Sequence, residues 1–405
     1  MTKERIQKAA SFLGLNRSML GMLAMVVLVG LGERMAERFL PIYLMALGGG
    51  AISVGLLGGL DNLLSALYSF PGGYLSDRLG YKRALLVFNL MAMAGFLVVI
   101  LIPAWPAVLA GSVLFLSWTA ISLPATMSLV SRVLPSNKRT MGVSMHSLVR
   151  RLPMALGPVL GGACIAIWGT TDGVRVAFGV ALVMALIALF MQQRLISDEP
   201  REAEEKPNQG RGWELLRPPL RRLLVADILI RFCEQIPYAF VVIWAMKAIE
   251  TPVSAVQFGV LTAVEMVTAM LIYIPVAHLA DRGGKKPFVL MTFVFFTLFP
   301  LALFFCRSFW PLVGAFVLRG FKEFGEPTRK ALIMDLAPEG RKAATFGLYY
   351  LIRDLVVSLA AFGGAFLWMI SPAVNFFTAF ACGAAGTIFF ALKGSDLQAG
   401  EPALD

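Results

Sequence analysis

Charged residues are scarce in this sequence. They make up 15% of the 405 residues, whereas hydrophobic residues make up 58%. Soluble globular chains are about 25% charged, and a water-soluble fold could not bury this much apolar surface. The apolar runs have the length of membrane-spanning helices and lack the roughly ten-residue alternating pattern of outer-membrane barrel strands. We therefore expect an all-α integral membrane protein.

The sequence also has few residues for disulfide or metal chemistry, with four cysteines and two histidines. The cysteines all fall inside apolar runs, at Cys164, Cys233, Cys306 and Cys382. This placement favours neither a disulfide framework nor a metal cluster. His146 and His278 have no companion at metal-ligand spacing. No nucleophile–base constellation is evident either, so we expect no enzyme activity and no cofactor.

The net charge of +11 could indicate a nucleic-acid partner. In a membrane protein, basic residues instead keep cytoplasmic loops on their side of the bilayer, so we expect lipid and no nucleic acid. The basic N-terminus leads into a long apolar segment without the short core and small-residue cleavage site of a signal peptide. It therefore predicts an uncleaved first span.

Twelve apolar segments have the roughly 20 residues that a spanning helix needs. They are residues 18–47, 51–76, 82–103, 105–133, 141–168, 172–194, 222–248, 254–280, 286–306, 308–335, 341–368 and 371–392. Basic residues such as Arg78 and Arg282 cluster in alternate connections, and the others, such as 104–107 and 369–372, carry none. The positive-inside rule therefore places both termini in the cytoplasm.

Five tryptophans lie at span ends on the side assigned as outside, where an interfacial aromatic belt is expected. They are Trp105, Trp168, Trp244, Trp310 and Trp368. This second signal favours the same topology, which we assign to the cytoplasmic (inner) membrane of a bacterium.

Residues 195–221 interrupt the apolar pattern with a charged stretch that contains proline and glycine, and they predict a solvated cytoplasmic linker. The linker separates six spans in residues 1–194 from six spans in residues 222–405. The two halves repeat, because GGYLSDRLGYKR at 72–83 matches AHLADRGGKKP at 277–287. A duplicated six-helix unit predicts a binding site between the halves, near the bilayer midplane.

The repeat extends to single residues. Pro124 falls on Pro327 and Arg150 falls on Arg353 at one constant offset. This agreement outside the loop motif favours duplication of the whole six-span unit.

The motif after the second span resembles the G-x-L-a-D-r-x-G-r-k signature of the major facilitator superfamily of secondary transporters. Its residues are Gly73, Leu75, Asp77, Arg78, Gly80, Lys82 and Arg83, with Tyr81 where a basic residue is usual. The second copy keeps Leu279, Asp281, Arg282, Gly284, Lys285 and Lys286. The resemblance implies two pseudo-symmetric six-helix bundles around a central cavity, with a cytoplasmic latch formed at these motifs. A plain basic loop would not need the ordered glycines and aspartates.

Two shorter resemblances concern the transported solute. LGPVLGG at 156–162 resembles the G-P-x-x-G-G signature of proton-coupled drug antiporters, but the fourth span lacks the R-x-x-x-G arginine of that group. Small residues also serve ordinary helix packing, so both interpretations stay open. Glu37-Arg38-Phe39 resembles part of the E-x-x-E-R-F signature of proton-coupled oligopeptide transporters, with Glu33 displaced by one residue.

The first span carries four charges in GLGERMAERFLPIYL, residues 30–44: Glu33, Arg34, Glu37 and Arg38. Each would cost about 2.5–3.5 kcal/mol at the bilayer centre if it faced lipid. A helix places all four within an arc of about 140°, with Arg34 in reach of Glu37 at i+3. We therefore expect them to face each other, water or another helix.

Other spans carry charges at comparable depth, and most of these spans line or flank the central cavity in the superfamily. The charges are Asp61, Arg150, Arg151, Arg231, Glu234, Glu265, Arg319, Lys322, Glu323, Glu326, Arg353 and Asp354. Together with the first span they predict a hydrated path in which carboxylates exchange protons and arginines hold anionic groups. For any single residue, an ion pair that only locks helices together remains the alternative.

These features predict a monomeric, proton-coupled secondary transporter that moves a small polar, charged or zwitterionic solute by alternating access. No G-x-x-x-x-G-K-[ST] loop is present in the sequence, which argues against ATP-driven transport. The alternatives are a multidrug/proton antiporter, a peptide/proton symporter and a non-transporting membrane receptor on the same scaffold.

Overall fold

The computed structural model describes residues 17–116, 118, 149–196, 216–280, 285–338 and 342–395. Side chains are described for these ranges apart from residues 17, 69–78, 81, 273–284, 327 and 342–344. All regular secondary structure in this part of the chain is helical. The prediction of an all-α fold is confirmed.

The helices follow the predicted spans. In the first sequence half they are α1 (Arg17–Glu37), α2 (Leu40–Ala46), α3 (Ala51–Leu79), α4 (Tyr81–Leu101), α5 (Trp105–Phe115) and α6 (Arg151–Leu195). In the second half they are α7 (Pro218–Tyr238), α8 (Val241–Ile243), a π-helical turn (Trp244–Ala248), α9 (Ala255–Ala280), α10 (Lys286–Phe305), α11 (Phe309–Phe321), α12 (Glu326–Asp335), α13 (Lys342–Ile370) and α14 (Pro372–Lys393). The helix α7 thus begins inside the segment predicted as linker.

Within the described ranges, eight helices are long and apolar enough to cross a membrane, and α7 with its bent continuation to Ala248 makes a ninth. The helix α6 covers the described part of the fifth predicted span and the whole sixth span. Gly169, with φ of 77°, interrupts the helical backbone between these two spans. Most of the predicted fourth span, together with the start of the fifth, lies outside the described residues.

Three spans that the sequence predicts as continuous helices are broken, at residues 38–39, 239–240 and 322–325. Pro41 and Pro327 explain two of the breaks, because proline lacks the N–H that would bond to the carbonyl four residues earlier. Pro237 lies just before the remaining break, at residues 239–240, where the helix axis bends by 41°. Broken helices at membrane depth expose polar backbone groups that a solute can bind.

The chain forms two compact units, which we describe separately. The first comprises residues 1–49, 64–203 and 254–263, and the second comprises residues 50–63, 204–253 and 264–405. Two helices, α3 and α9, therefore each contribute residues to both units.

In the first unit, α6 crosses α1 with almost no space between the backbones. A Cβ on Gly157 would lie 2.6 Å from the Cβ of Arg34, and a Cβ on Gly161 would overlap the backbone carbonyl of Met35. Only glycine permits such an approach. The crossing therefore fixes the charged turn of α1 against α6.

A buried polar network ties α4 to α6 in the same unit. Asn89 Nδ2 donates to Gln192 Oε1 over 2.6 Å, and Trp118 Nε1 donates to Asn89 Oδ1 over 2.8 Å. Gln192 Nε2 donates in turn to the carbonyl of Lys82 over 2.9 Å. Each amide group has a partner, so the network stabilises the unit without the cost of an unsatisfied buried group.

In the second unit, α7, α10, α12, α13 and α14 share an apolar core that includes Leu220, Phe293, Leu332 and Phe390. Trp244 also lies inside, with 6% of its surface exposed, and its Nε1 donates to the carbonyl of Leu303 over 3.0 Å. Its indole packs among aromatic rings inside the protein, so it presents no exposed ring to the predicted aromatic belt. Three other tryptophans are exposed as the prediction requires: Trp105, Trp168 and Trp310.

Candidate functional site

Three charged side chains of α7 lie on one helical face. Asp227, Arg231 and Glu234 are spaced by four and three residues, which places them on consecutive turns of the same face. Arg231 Nη1 donates to Glu234 Oε2 over 2.7 Å, and Arg231 Nε lies 3.9 Å from Asp227 Oδ1. The alternating signs therefore stabilise the row within its own helix.

The tenth predicted span carries a matching row of charges around its break. Lys322 Nζ donates to Glu234 Oε1 over 2.9 Å. One turn further on, Arg231 Nη2 donates to Glu326 Oε2 over 3.3 Å. Arg231 and Glu234 on α7 thus each meet an opposite charge on the neighbouring span.

The third pair of the two rows joins Asp227 to Arg329, whose Nη1 donates to Asp227 Oδ2. The same oxygen accepts from the Tyr349 hydroxyl over 3.0 Å and lies 3.6 Å from Arg353 Nη1. Asp227 is only 1% exposed, so its charge depends on these donors. We call the two rows the charge ladder, which consists of Asp227, Arg231, Glu234, Lys322, Glu326 and Arg329.

At the other end of the charge ladder, Lys322 is shared between two carboxylates. Its Nζ lies 2.9 Å from Glu234 Oε1 and 3.2 Å from Glu265 Oε1 on α9. Arg319 Nε also lies 3.2 Å from Glu265 Oε1. Two carboxylates and two cations therefore balance, which is what allows four charges to be buried together.

A small cavity opens beside this shared lysine. It has a volume of about 10 Å³ and is lined by Glu234, Val241, Phe295, Phe296, Phe299, Arg319 and Lys322. This is room for about one water molecule. Arg319 also stacks over aromatic rings, with its guanidinium carbon 5.0 Å from the centre of Phe299. The cavity thus combines charged groups of both signs with an aromatic wall.

The first unit contains a smaller group of charges on α1. Arg34 Nη1 lies 2.5 Å from Glu37 Oε2, which confirms the predicted i,i+3 pair. Glu33 is 3% exposed, and Arg38 lies half-buried in the break that follows α1. The same R-x-x-E pair recurs as Arg231 and Glu234 in α7, so the first helix of each half carries it in its last two turns before a break.

The remaining predicted path residues lie at separate places. Asp61 is half-buried in the part of α3 that belongs to the second unit, and Arg150 and Arg151 are half-buried at the start of α6. Glu323 is half-buried within the break of the tenth span. Asp354 is held by Arg353, whose Nη2 lies 2.7 Å from Asp354 Oδ1.

The structure adds three residues that sequence reasoning missed: Asp227, Arg329 and Tyr349. The selection relied on charges at the middle of each span, and Asp227 and Arg329 lie nearer the span ends. A helical-spacing criterion would have found both, because Asp227 precedes Arg231 by four residues and Arg329 follows Glu326 by three. Nothing in the sequence would have singled out the tyrosine.

Part of the predicted latch is described. Gly80 has φ of 81° and turns the chain between α3 and α4. Lys82 Nζ donates to the carbonyl of Gln193 over 3.2 Å, and Lys285 pairs with Asp335. Arg83 is exposed at the start of α4. Gly73, Asp77 and Arg78 lie on α3 with side chains that are not among those described, and Asp281, Arg282 and Gly284 lie outside the described residues. The latch role stays a prediction.

Long apolar helices define a multi-pass membrane protein, and several of its spans are broken and contain buried ion pairs. The model of the Major Facilitator Superfamily matches residues 22–249, more than half of the chain. The chain therefore belongs to the major facilitator superfamily, as the sequence predicts.

The chain is similar to an uncharacterized MFS-type transporter of Methanocaldococcus jannaschii, with 21% identity over 85% of this chain and 87% of the relative. Among solved structures, a peptide transporter POT in complex with sulfate aligns with a TM-score of 0.75 at 14% identity, covering 93% of both chains. A bacterial homolog of the human lysosomal transporter Spinster, in an inward-facing conformation, aligns with a TM-score of 0.71 at 13% identity over 93% of this chain and 95% of that one. At these identities the structural matches establish the fold alone.

Proposed function

We infer that the protein is a proton-coupled secondary transporter that moves a small polar, charged or zwitterionic organic solute by alternating access. Its moving parts are the halves 1–194 and 222–405, joined by the linker 195–221. It works as a monomer in a bacterial cytoplasmic membrane with both termini inside the cell. The observation that carries this proposal is the sharing of Lys322 by Glu234 and Glu265 beside the cavity.

Shared pairing makes one of these carboxylates suited to lose its charge. When Glu234 takes a proton, Lys322 keeps Glu265 as a partner and Arg231 keeps Glu326, so both cations that pair with Glu234 still have a carboxylate. Glu265 is fully buried, whereas the Glu234 side chain is 10% exposed and lines the cavity. We therefore assign proton exchange to Glu234 and a fixed negative charge to Glu265.

The cavity walls support a solute with a polar group and an organic body. Neutralising Glu234 leaves Arg319 and Lys322 facing the cavity, which attract an anionic group or a polar acceptor. The adjacent phenylalanines provide apolar surface for the rest of the solute. The present volume admits only water, so binding requires these side chains to move apart.

Glycine-mediated helix crossings supply the surfaces that separate during transport. A Cβ on Gly55 would lie 2.5 Å from the Cβ of Ala365, and a Cβ on Gly162 would overlap the carbonyl of Ala255. These close contacts join α3 to α13 and α6 to α9 near the connections that carry no basic residues. Small residues form flat contacts without interlocked side chains. Two helices that meet in this way can separate easily, as a gate requires.

The test is solute-induced proton movement in liposomes that contain the purified protein and a trapped pH indicator. A panel of small acids, zwitterions and cations is first screened for ligands by thermal stabilisation. A stabilising solute, added outside, should change the internal pH in protein-containing liposomes and leave empty liposomes unchanged. A ligand that crosses the membrane with no proton movement would refute the coupling, and one that binds but never crosses would support the receptor alternative.

Replacing Glu234 with glutamine should abolish accumulation of the solute under an imposed pH gradient while exchange of labelled for unlabelled solute continues. Glutamine keeps the shape and a hydrogen bond to Lys322 but cannot release a proton. The matched control is Glu250→Gln, because the Glu250 side chain is 76% exposed and pairs only at the surface with Arg307. Gradient-driven accumulation by Glu234→Gln at the wild-type rate would remove Glu234 from the proton path.

A further inference from the structure

The signs along the charge ladder permit a single register between α7 and the tenth span. From one end to the other, α7 presents a negative, a positive and a negative charge, and the tenth span presents the reverse. A shift by one pair would set Asp227 against Glu326 and Arg231 against Lys322. A shift the other way would set Arg231 against Arg329 and Glu234 against Glu326. Each slip creates two buried like-charge contacts, so the ladder fixes the register strongly.

The two ends of the ladder are fastened to different helices. At one end, Asp227 holds α12 through Arg329 and holds α13 through Tyr349 and Arg353. At the other end, Lys322 follows directly on α11. Lys322 and Arg319 of α11 are both bound to Glu265 of α9. Packing supports the second attachment, because a Cβ on Gly320 of α11 would lie 2.6 Å from Thr268 Cβ on α9.

The break at residues 322–325 separates these two attachments. Lys322 stands at the C-terminus of α11 and Glu326 at the N-terminus of α12, where the helix dipoles favour a cation and an anion respectively. The pair formed by Glu234 lies on one side of the break, and the pair formed by Arg231 lies on the other. The charges thus stabilise a broken helix and place its hinge between two ion pairs.

We propose that Asp227 is a positioning residue that fixes α12 to α7 and α13, so that loss of charge at Glu234 releases α11 without releasing α12. This proposal rests on the proposed function, in which Glu234 loses its charge when it takes up a proton. The pair of Glu234 with Lys322 ties α7 to the α11–α9 group and lies beside the cavity. Neutralising Glu234 therefore loosens one segment of the tenth span, while Asp227 keeps the other in register.

Hydrogen–deuterium exchange of the purified, unliganded full-length protein tests this division directly. Glu234→Gln should raise amide exchange by about tenfold in α11 and leave α12 unchanged, since a charge-assisted bond on one side of the hinge is weakened. Asp227→Asn should raise exchange in α12 by at least about tenfold, because Arg231, Arg329 and Arg353 then share one fewer carboxylate. Glu250→Gln should alter neither segment.

A milder variant guards against loss of folding in Asp227→Asn. Tyr349→Phe removes only the hydroxyl that donates to Asp227, so it should raise exchange in α12 to a smaller extent and leave α11 at the wild-type rate. A purely structural role would change both segments together, and that result in either Glu234→Gln or Tyr349→Phe overturns the proposal. The proposal is also overturned if Glu234→Gln leaves amide exchange in both α11 and α12 at the wild-type rate.

The exchange result and the transport result can fail independently. If Glu234→Gln raises amide exchange in α11 alone but accumulates solute normally under the pH gradient, the positioning role stands and the assigned proton site is refuted. Loss of accumulation with uniform exchange would retain the proton site and refute the positioning role of Asp227.

Discussion

Replacing Gly161 with alanine is expected to destabilise the folded protein by about 3 kcal/mol or more, the upper end of the range for overpacked sites. The added methyl group would overlap the backbone carbonyl of Met35 on α1, which cannot rotate away as a side chain could. The helices α1 and α6 would have to separate. Since Gly157 makes the same close approach to Arg34 one turn earlier, the separation would extend along the crossing.

Gly179 provides a matched control on the same helix. A Cβ on Gly179 meets no atom within 4 Å, so Gly179→Ala should be neutral or stabilise the protein by about 0.5–1 kcal/mol through its helix preference. The measurement is the yield of monodisperse protein in detergent and the temperature at which half of it aggregates. Equal behaviour of the two alanine variants would show that α1 and α6 do not cross at Gly161.

The same glycine bears on function through the charges of α1. The crossing holds the turn that contains Arg34 and Glu37, and their ion pair lies next to the break before α2. A larger residue at position 161 displaces this turn, so any Gly161→Ala protein that folds should transport more slowly than its amount in the membrane predicts. The close contacts of Gly157 and Gly161 show that the LGPVLGG segment serves helix packing.

The membrane helices were predictable because backbone polar groups must be satisfied within each span, so a long apolar run has few alternatives to a helix. The i,i+3 pair of Arg34 and Glu37 was predictable for a similar reason, since helical geometry alone brings it together. The breaks were missed although Pro41 and Pro327 mark two of them. Proline in a spanning helix is tolerated often enough that its presence does not fix where the helix ends.

The pairing across helices could not be predicted from one sequence. Asp227 gains its partners from α12 and α13, and their rotation about their own axes depends on packing of the whole unit. Burial then decides how strongly each ion pair affects stability. The identity of a charged residue does not show whether it is buried. Sequence reasoning therefore found that charges occur in these spans without finding which of them meet.

The charge ladder also distinguishes the two halves of the duplicated chain. At the offset that relates Pro124 to Pro327, the residues matching Lys322, Glu326 and Arg329 are uncharged: Thr119, Leu123 and Thr126. The R-x-x-E pair is common to both first helices, but the positions of the first half that match its partners in the second half hold uncharged residues. Duplication alone therefore does not account for the ladder, and we expect proton exchange to be concentrated in the second half.

Removing Arg329 is expected to have the second large effect, because two carboxylates of the charge ladder depend on it. Arg329→Gln would leave Asp227 without its main donor and would take from Glu326 a pair whose Nη2–Oε1 distance is 2.7 Å. Arg329 is 1% exposed, so water cannot replace the guanidinium. Breaking a buried ion pair by removing one partner typically costs about 3–5 kcal/mol, and we expect a loss of stability in that range.

The adjacent residue gives a sharp comparison, because Lys330 also pairs with Glu326, at 3.6 Å, but its side chain is 51% exposed. Lys330→Gln should cost less than about 1 kcal/mol, as exposed pairs do. Aggregation temperatures of Arg329→Gln and Lys330→Gln in the same detergent, at low and high salt, separate the two cases. Because salt screens exposed charges, high salt should reduce the small loss of aggregation temperature in Lys330→Gln. The large loss in Arg329→Gln should remain. Equal aggregation temperatures for the two variants would mean that Arg329 is not buried against Asp227, and the ladder would lose the pair that fixes α12.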